Sequence, residues 1–253
     1  MIVVYGVIIC VALIIMYMYT VAHEDNVLTH PTQAVGQNDR IRLFFISDVH
    51  NRVIRRRKLA AIEKVDAVII GGDFCDKRTS EHKLRENLAT LSALGPIYFV
   101  WGNNDREFGE AALLNILNEY GAVIVENDAV LLANRPNKTW ISAIDDTSTK
   151  NYSFKRALHK CANEDVTICV SHNPQVFHLA RQQKRISLLM GGHLHGGQIR
   201  LGKFGLHEKG SFNDRHGVAT LISNGYGTTL VPLRLGAKPQ MHIIEMDIKN
   251  AQS

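Results

Sequence analysis

The sequence is poor in cysteine, and its four cysteines show no disulfide framework. Cys10 lies in an apolar N-terminal segment, which leaves Cys75, Cys161 and Cys169, an odd number without regular spacing. This pattern argues against a small disulfide-stabilised secreted fold and favours a reducing, cytoplasmic location. Internal repeats and low-complexity tracts are also absent.

Charge is missing from residues 1–22, MIVVYGVIICVALIIMYMYTVA. A helix of this length reaches about 33 Å, enough to cross the hydrocarbon core of a bilayer. We therefore predict a single transmembrane anchor over residues 1–22, with the lipid bilayer as a partner. The alternative is a signal peptide cleaved after Ala22, but the apolar run is long for one and no basic segment precedes it.

Residues 23–40 are polar and show no sustained period, and they are predicted to form a linker spanning roughly 25 Å. Few basic residues flank the apolar segment, so they do not indicate on which side of the membrane the domain lies. The prediction of a cytoplasmic domain therefore depends on the cysteine pattern. The net charge of +5 suits an anionic partner, a lipid headgroup or a phosphate. No basic stripe interleaved with aromatic residues is visible, so we expect no nucleic-acid partner.

From residue 41 onward, β-rich runs alternate with helical patterns, which predicts an α/β domain over residues 41–249 with two covered sheets. The predicted strands are 41–47, 66–70, 96–100, 122–126, 139–144, 166–171, 186–190, 218–223 and 241–246. The predicted helices are 53–65, 80–94, 107–120, 153–162 and 174–183. Function in such folds collects where strands end and loops begin.

Polar side chains follow five of these strands. Asp48 and His50 alternate along a segment predicted to be extended, so both face one side, and His193 and His195 repeat the pattern. Three further strand ends carry Asp73, Asn103 and His172.

Carboxylate, amide and imidazole ligands together favour Mn, Fe, Co or Zn over Ca or Mg. Seven such groups exceed what one ion needs, so two divalent transition-metal ions are implied. A pair of ions about 3.5 to 4 Å apart that shares a carboxylate is the arrangement used for in-line attack on phosphorus.

The five clusters resemble the motifs of the calcineurin-like metallophosphoesterases. They stand here as Asp48-Val49-His50, Gly72-Asp73-Phe74-Cys75-Asp76, Gly102-Asn103-Asn104-Asp105, His172 and Gly192-His193-Leu194-His195. The segments GGHLHGGQ, SNGYGTT and VPLRLGAKP also look like the bacterial membrane-associated branch of that family.

This resemblance implies a four-layer α-β-β-α sandwich and a role for each site residue. Asp48, His50 and His195 would hold one metal ion. Asn103, His172 and His193 would hold the other, and Asp73 would bridge the two. Asp76 would steady the ligands without binding metal.

The family pattern has His where this chain has Asn104. In relatives that His, oriented by the acid that follows, contacts the phosphate and protonates the leaving oxygen. Asn104 can donate a hydrogen bond but no proton, and Asp105 has no imidazole to orient. General acid catalysis is worth roughly 10² to 10⁴ in rate, so its loss favours phosphoanhydrides or activated diesters, unless His207 or His216 supplies the proton.

The sequence thus predicts a membrane-anchored, dinuclear-metal hydrolase of a phosphodiester or pyrophosphate bond in a lipid-linked or nucleotide-linked substrate. The alternatives are hydrolysis of cyclic-nucleotide or other small phosphodiesters, and a membrane scaffold with a decayed site. Decay would strike the ligand positions too, yet all seven are filled. The basic run over residues 55–58 is predicted to be a solvated helix face, with an anionic lipid or a second substrate phosphate as the alternative.

Overall fold

The computed structural model describes residues 1–183, 186–215 and 218–250. The helices are α1 Ile2–Ala22, α2 Arg56–Leu59, α3 Glu81–Ser92, α4 Glu110–Glu119, α5 Phe154–Leu158 and α6 Phe177–Gln183. The strands are β1 Val27–Val35, β2 Asp39–Ile46, β3 Ala67–Gly71, β4 Ile97–Val100, β5 Val123–Ile124, β6 Asp128–Leu131, β7 Thr139–Ala143, β8 Val166–Val170, β9 Leu188–Gly191, β10 Arg200–Leu201, β11 Phe204–Gly205, β12 Ser211–Arg215, β13 Val218–Ile222 and β14 Met241–Lys249.

Within this described part of the chain, the strands form two six-stranded sheets and a short hairpin of β10 and β11. The first sheet has the order β1-β14-β2-β3-β4-β5, and the second has the order β12-β13-β9-β8-β7-β6. The central strands β2-β3-β4 and β7-β8-β9 run parallel within each sheet. Their carboxyl ends therefore lie along one edge of each sheet.

Three buried clusters show the layer structure. Leu88 of α3 and Leu117 of α4 pack on one face of the first sheet. The other face of that sheet packs on the second sheet, with Phe45 and Ile168 in the same cluster. The third cluster joins the second sheet to the helices α5 and α6, through residues such as Leu158. Three interfaces between four layers confirm the predicted α-β-β-α sandwich.

The prediction that residues 23–40 form a linker is wrong for most of its length. Val27–Val35 form β1, which pairs in parallel with β14, and β2 already begins at Asp39. β1 lies at the sheet edge and is mostly exposed, with only Thr32 and Ala34 buried. An edge strand of this kind needs little apolar character and tolerates Pro31, so its sequence shows no strand pattern.

Some predicted elements differ in length. The helix predicted over residues 53–65 is reduced to α2, and the strand predicted over 122–126 is reduced to the two residues of β5. The strands β6 and β12 were not predicted, and they lie at the edge of the second sheet.

The end of α1 is built into the folded domain. Most of α1 is exposed, but Met18, Val21 and Ala22 are buried. The Met18 carbonyl accepts a hydrogen bond from the Arg234 backbone N–H at 3.1 Å. The Ala22 carbonyl accepts one from the Arg52 guanidinium at 3.0 Å. The second bond satisfies the carbonyl of the last helical residue, which has no partner within the helix.

Candidate metal centre

The five strand ends bring the predicted ligands together between the two sheets. The loops after β2, β3 and β4 carry the candidates from the first sheet, and the loops after β8 and β9 carry those from the second. Two groups converge closely enough to share an ion: one of Asp48, His50 and His195, and one of Asp48, Asp73 and His172.

We call Asp48, His50 and His195 the first half of the centre. His195 Nε2 lies 3.3 Å from Asp48 Oδ1 and 3.2 Å from His50 Nε2. All three side chains are buried, with relative exposures of 0, 1 and 6%. Two ring nitrogens and a carboxylate oxygen thus meet at one point away from water, which is the donor set of a metal site.

We call Asn103, His172 and His193 the second half. His193 Nδ1 lies 3.2 Å from His172 Nε2. Asn103 Oδ1 is buried and has no hydrogen-bond partner among the described residues. A buried amide oxygen without a partner is costly, so this atom fits a cation that it would coordinate.

Asp73 lies between the two halves. Its Oδ2 is 3.3 Å from His172 Nε2 and 3.9 Å from His50 Nε2. One carboxylate oxygen therefore faces an imidazole of each half, which is the placement that a bridging ligand needs.

The backbone at these residues is unusual. Asp48, His50, Asp73, His193 and His195 have positive φ angles of 54, 51, 51, 70 and 49°. The prediction that Asp48 and His50 alternate along an extended segment is therefore wrong, and so is its repeat in the later pair. A left-handed residue other than glycine costs roughly 1 to 3 kcal/mol, and such residues concentrate at functional sites.

Neighbouring groups fix how the imidazoles point. His172 Nδ1 donates to the Gly71 carbonyl at 2.9 Å, which leaves Nε2 as the free acceptor. On the other half, Asp76 Oδ2 lies 3.3 Å from His50 Nδ1 and is itself held by Arg78 at 2.6 Å. Asp76 therefore stands behind His50, where the resemblance implied it.

The two buried carboxylates set the charge balance. Burial opposes protonation of His172, but the charge of Asp73, the hydrogen bond to it and the charge of Asp48 together outweigh burial and raise the His172 pKa to about 10. Burial opposes ionisation of Asp73 in turn, and His172 holds the pKa of Asp73 below its usual range. The cluster thus draws positive charge, which a divalent ion supplies in place of a proton. Burial lowers the pKa of His195 to about 3, so this ring stays neutral, as a ligand must.

Arg234 lies in the segment VPLRLGAKP but was not predicted to be a site residue. Arg234 is fully buried and donates to backbone carbonyls of Asn224, Gly227, Ala237 and His195 at 2.6 to 3.2 Å. It thereby joins the loop of His195 to the loops around residues 224–227 and 234–237. Its partners are backbone atoms distant in sequence, which leave no local pattern.

Two glycines allow the close approach of loops around Asp48. A Cβ at Gly192 would overlap the Asp48 carboxylate. Gly225 has φ of 71°, and a Cβ there would come within 2.6 Å of Asp48 Cβ. The SNGYG segment, residues 223–227, thus packs directly against the centre.

Asn104 and Asp105 point in different directions. The Asn104 amide donates to Asp73 Oδ2 at 2.7 Å and is half-buried at the mouth of the second half. The Asp105 carboxylate is fully buried and accepts from the backbone N–H groups of Asp73, Cys75 and Gly102 at 2.8 to 3.0 Å. Asp105 therefore joins the loop after β3 to the loop after β4.

Of the two other proton donors considered from sequence, only His207 lies in the described part of the chain. His207 is exposed on the loop between β11 and β12, where its backbone packs against Gly197. His216 lies outside the described residues. The Cys75 thiol is buried beside Asp105, as expected of a packed thiol, and burial raises its pKa.

The comparisons agree with the geometry. Residues 41–197 match the family model of the calcineurin-like phosphoesterases. The chain belongs to this family. The calcineurin-like phosphoesterase is 36% identical over 234 residues to an uncharacterized protein, YpbG, of Bacillus subtilis, covering 90% of both chains. It is 26% identical to the uncharacterized metallophosphoesterase YkoQ of the same organism, over 89% of this chain and 93% of the other.

Two further similar proteins match a smaller part of the chain or have a lower sequence identity. A zebrafish (Danio rerio) transmembrane protein with a metallophosphoesterase domain is 30% identical over 182 residues, 63% of this chain and 41% of that protein. A solved dimetal phosphatase from Danio rerio is similar with a TM-score of 0.48 and 14% identity, over 76% of this chain and 89% of the other. Family membership makes this calcineurin-like phosphoesterase a metal-dependent phosphoester hydrolase.

Proposed function

We propose that the centre binds two divalent transition-metal ions, Mn, Fe, Zn or Co. Asp48, His50 and His195 hold one ion, Asn103, His172 and His193 hold the other, and Asp73 bridges them. The convergence of five donors in two overlapping groups supports this, together with His193 beside His172, the unpartnered Asn103 oxygen and the demand of two buried carboxylates for positive charge.

The proposed reaction is hydrolysis of a phosphodiester or pyrophosphate bond. Bound divalent ions would supply Lewis-acid polarisation of the phosphoryl group and activation of water at neutral pH. The preference for phosphodiester or pyrophosphate bonds with good leaving groups is inferred from Asn104. It lies at the mouth of the centre and can donate a hydrogen bond to the substrate, but it has no proton to give to a leaving oxygen. Good leaving groups, such as phosphates, need none.

The enzyme is proposed to act at a membrane surface. Its proposed substrate is lipid-linked or nucleotide-linked. α1 is 21 residues long, carries no charge, and exposes large apolar side chains along its length. Its length of about 31 Å matches a bilayer core. The zebrafish relative is likewise named a transmembrane protein.

We place the catalytic domain on the cytoplasmic side. Cys75 and Cys169 are buried thiols rather than disulfides, which supports a reducing compartment. Protease treatment of sealed inside-out vesicles should remove the domain, whereas right-side-out vesicles should protect it. The reverse pattern would place it outside.

The activity is tested on the full chain in detergent or nanodiscs, reconstituted with Mn²⁺ and given a phosphoanhydride, an aryl diester, an alkyl diester and a monoester. We expect the anhydride and aryl diester to be hydrolysed fastest. Preference for alkyl monoesters would contradict the proposal.

Carbonate extraction should leave the full chain in the membrane pellet. A soluble mature protein beginning at His23 would show that residues 1–22 are a signal peptide.

A further inference from the structure

A cavity of about 530 Å³ lies beside the metal centre, against the end of α1. We call it the helix-end cavity. Its walls include Ala22 and His23 at the end of α1, and Arg52, Arg55, Arg78 and Lys83 from the folded domain. The residues lining it thus include four cationic side chains and no carboxylate.

Two of these cations are fixed in place by the end of α1. Arg52 donates to the carbonyls of Ala22 and Glu24 at 3.0 and 2.7 Å, and Arg55 donates to that of His23 at 2.6 Å. Asp25 balances this pair, at 2.9 Å from Arg52 and 3.3 Å from Arg55. One carboxylate shared by two guanidinium groups leaves an excess of positive charge at this wall.

Lys83 adds a cation that pairs with no carboxylate in the described part of the chain. Its Nζ donates to Asn51, at 2.9 Å to Oδ1 and 3.2 Å to the carbonyl oxygen. These neutral oxygens position the ammonium group without cancelling its charge. A half-buried ammonium beside guanidinium groups is suited to the oxygens of a phosphate.

The cavity shares a wall with the first half of the metal centre. Asn51 and Arg52 directly follow His50. Arg78 on the cavity side binds Asp76, and Asp76 contacts His50 on the centre side. A substrate whose reacting phosphate lies at the metal ions would therefore have a basic cavity beside it.

We propose that the helix-end cavity binds a second phosphate-class anion of the substrate. This inference rests on the proposed function, because it assumes that the reacting phosphate occupies the neighbouring metal centre. The anion belongs either to a lipid, since the end of α1 forms part of the wall, or to a soluble phosphate compound. A pyrophosphate group or a diphosphate-linked molecule has the required pair of charges.

The experiment measures anion binding without catalysis. The full chain in phosphatidylcholine nanodiscs is stripped of metal with a chelator and dialysed, then titrated with inorganic pyrophosphate by calorimetry. Without metal ions, Asp48 and Asp73 repel anions at the centre, so binding reports on the cavity. Because no turnover is measured, a chain that hydrolysed nothing would still give an answer, and failure of the proposed function is seen separately.

Lys83 is the residue to change, since within the described part of the chain its ammonium group hydrogen-bonds only to Asn51. We expect saturable pyrophosphate binding that Lys83→Gln weakens about tenfold or more and Lys83→Arg largely retains, because a charge-assisted hydrogen bond is lost or kept. Lys77→Gln is the matched control, since Lys77 is exposed nearby and does not line the cavity. Absence of saturable binding, or equal weakening by Lys77→Gln, overturns the proposal.

A second arm distinguishes the two sources of the anion. The titration is repeated in nanodiscs in which part of the phosphatidylcholine is replaced by phosphatidic acid. If wild type loses more pyrophosphate affinity than Lys83→Gln does, lipid phosphate competes for the cavity and the lipid source is supported. If both change equally, only surface charge has acted and the soluble source is supported. The cavity is upheld in both cases.

Discussion

The two halves of the metal centre differ in how far they are closed. The ligands of the first half are buried, and each imidazole is backed by a charged side chain, Asp76 behind His50 and Arg234 beside His195. In the second half, Asn103 and His193 are only half-buried, and the backing of His172 is a single backbone carbonyl. The first half is thus a closed site set by the fold. The second opens to solvent, where a substrate approaches.

The largest effect should come from removing what the halves share. Asp73→Asn takes away the negative charge that faces both, so we expect both ions to bind weakly and the rate to fall by about 10³ or more, since metal stabilisation is worth several kcal/mol. Elemental analysis after Mn²⁺ reconstitution measures occupancy. The control is Glu86→Gln, which changes an exposed carboxylate on α3 and should leave both metal ions bound. Two ions retained in Asp73→Asn would show that this residue does not bridge.

The difference between the halves is tested directly by chelation. We expect EDTA to remove the ions in two phases, with the ion of the second half lost first and bound about 10- to 100-fold more weakly, because partners behind a ligand contribute that much to affinity. His193→Ala should abolish the fast phase and His50→Ala the slow one. A single phase in wild type would mean that the halves hold metal equally well.

Asp105 supports the second half by joining the Asp73 loop to the Asn103 loop. Asp105→Asn replaces one acceptor oxygen with an N–H₂ group and leaves at least one buried backbone N–H unpaired. We expect a loss of about 1 to 3 kcal/mol in the free energy of unfolding. Thermal unfolding of the metal-free protein, compared with Asp39→Asn at the start of β2, measures it. An unchanged melting temperature would show that the three hydrogen bonds contribute little.

The smallest effect is expected at Asn104. Asn104→His restores a proton donor at the open half, but Asp105 is turned away and cannot orient the new ring. We therefore expect the rate on an alkyl diester to rise about tenfold, which is less than the roughly 10² to 10⁴ that a well-placed general acid contributes. The rate on an aryl diester should change little. Asn104→Ala is the control without a donor. A wild-type rate independent of leaving-group pKa would show that protonation is already supplied.

The clustering of the candidate ligands could be predicted because each is part of a short motif directly after a buried strand. Strands of this kind are recognised by their apolar runs, and parallel strands bring their ends to one edge. His172 illustrates this: a single histidine after a buried strand was placed correctly beside residues more than 60 positions away.

What could not be predicted depends on contacts distant in sequence. β1 is polar because an exposed strand at the edge of a sheet does not need apolar side chains. Arg234 acts on backbone carbonyls, which every residue has, so no pattern marks it. Asp105 follows a family motif, but the direction of its carboxylate is decided by two loops that meet only in the folded chain.

The position of β14 also bears on the order in which the protein is made. β14 contains Met241–Lys249 and lies between β1 and β2, so it is the last strand of the first sheet to be synthesised and the one that joins β1 to the rest of that sheet. Until β14 has emerged from the ribosome, β1 and β2 both present unpaired edges, and such edges are prone to pair with other chains. The first sheet therefore stays incomplete until all of its other strands have been made, and a chain truncated before Met241 would leave β1 without its partner.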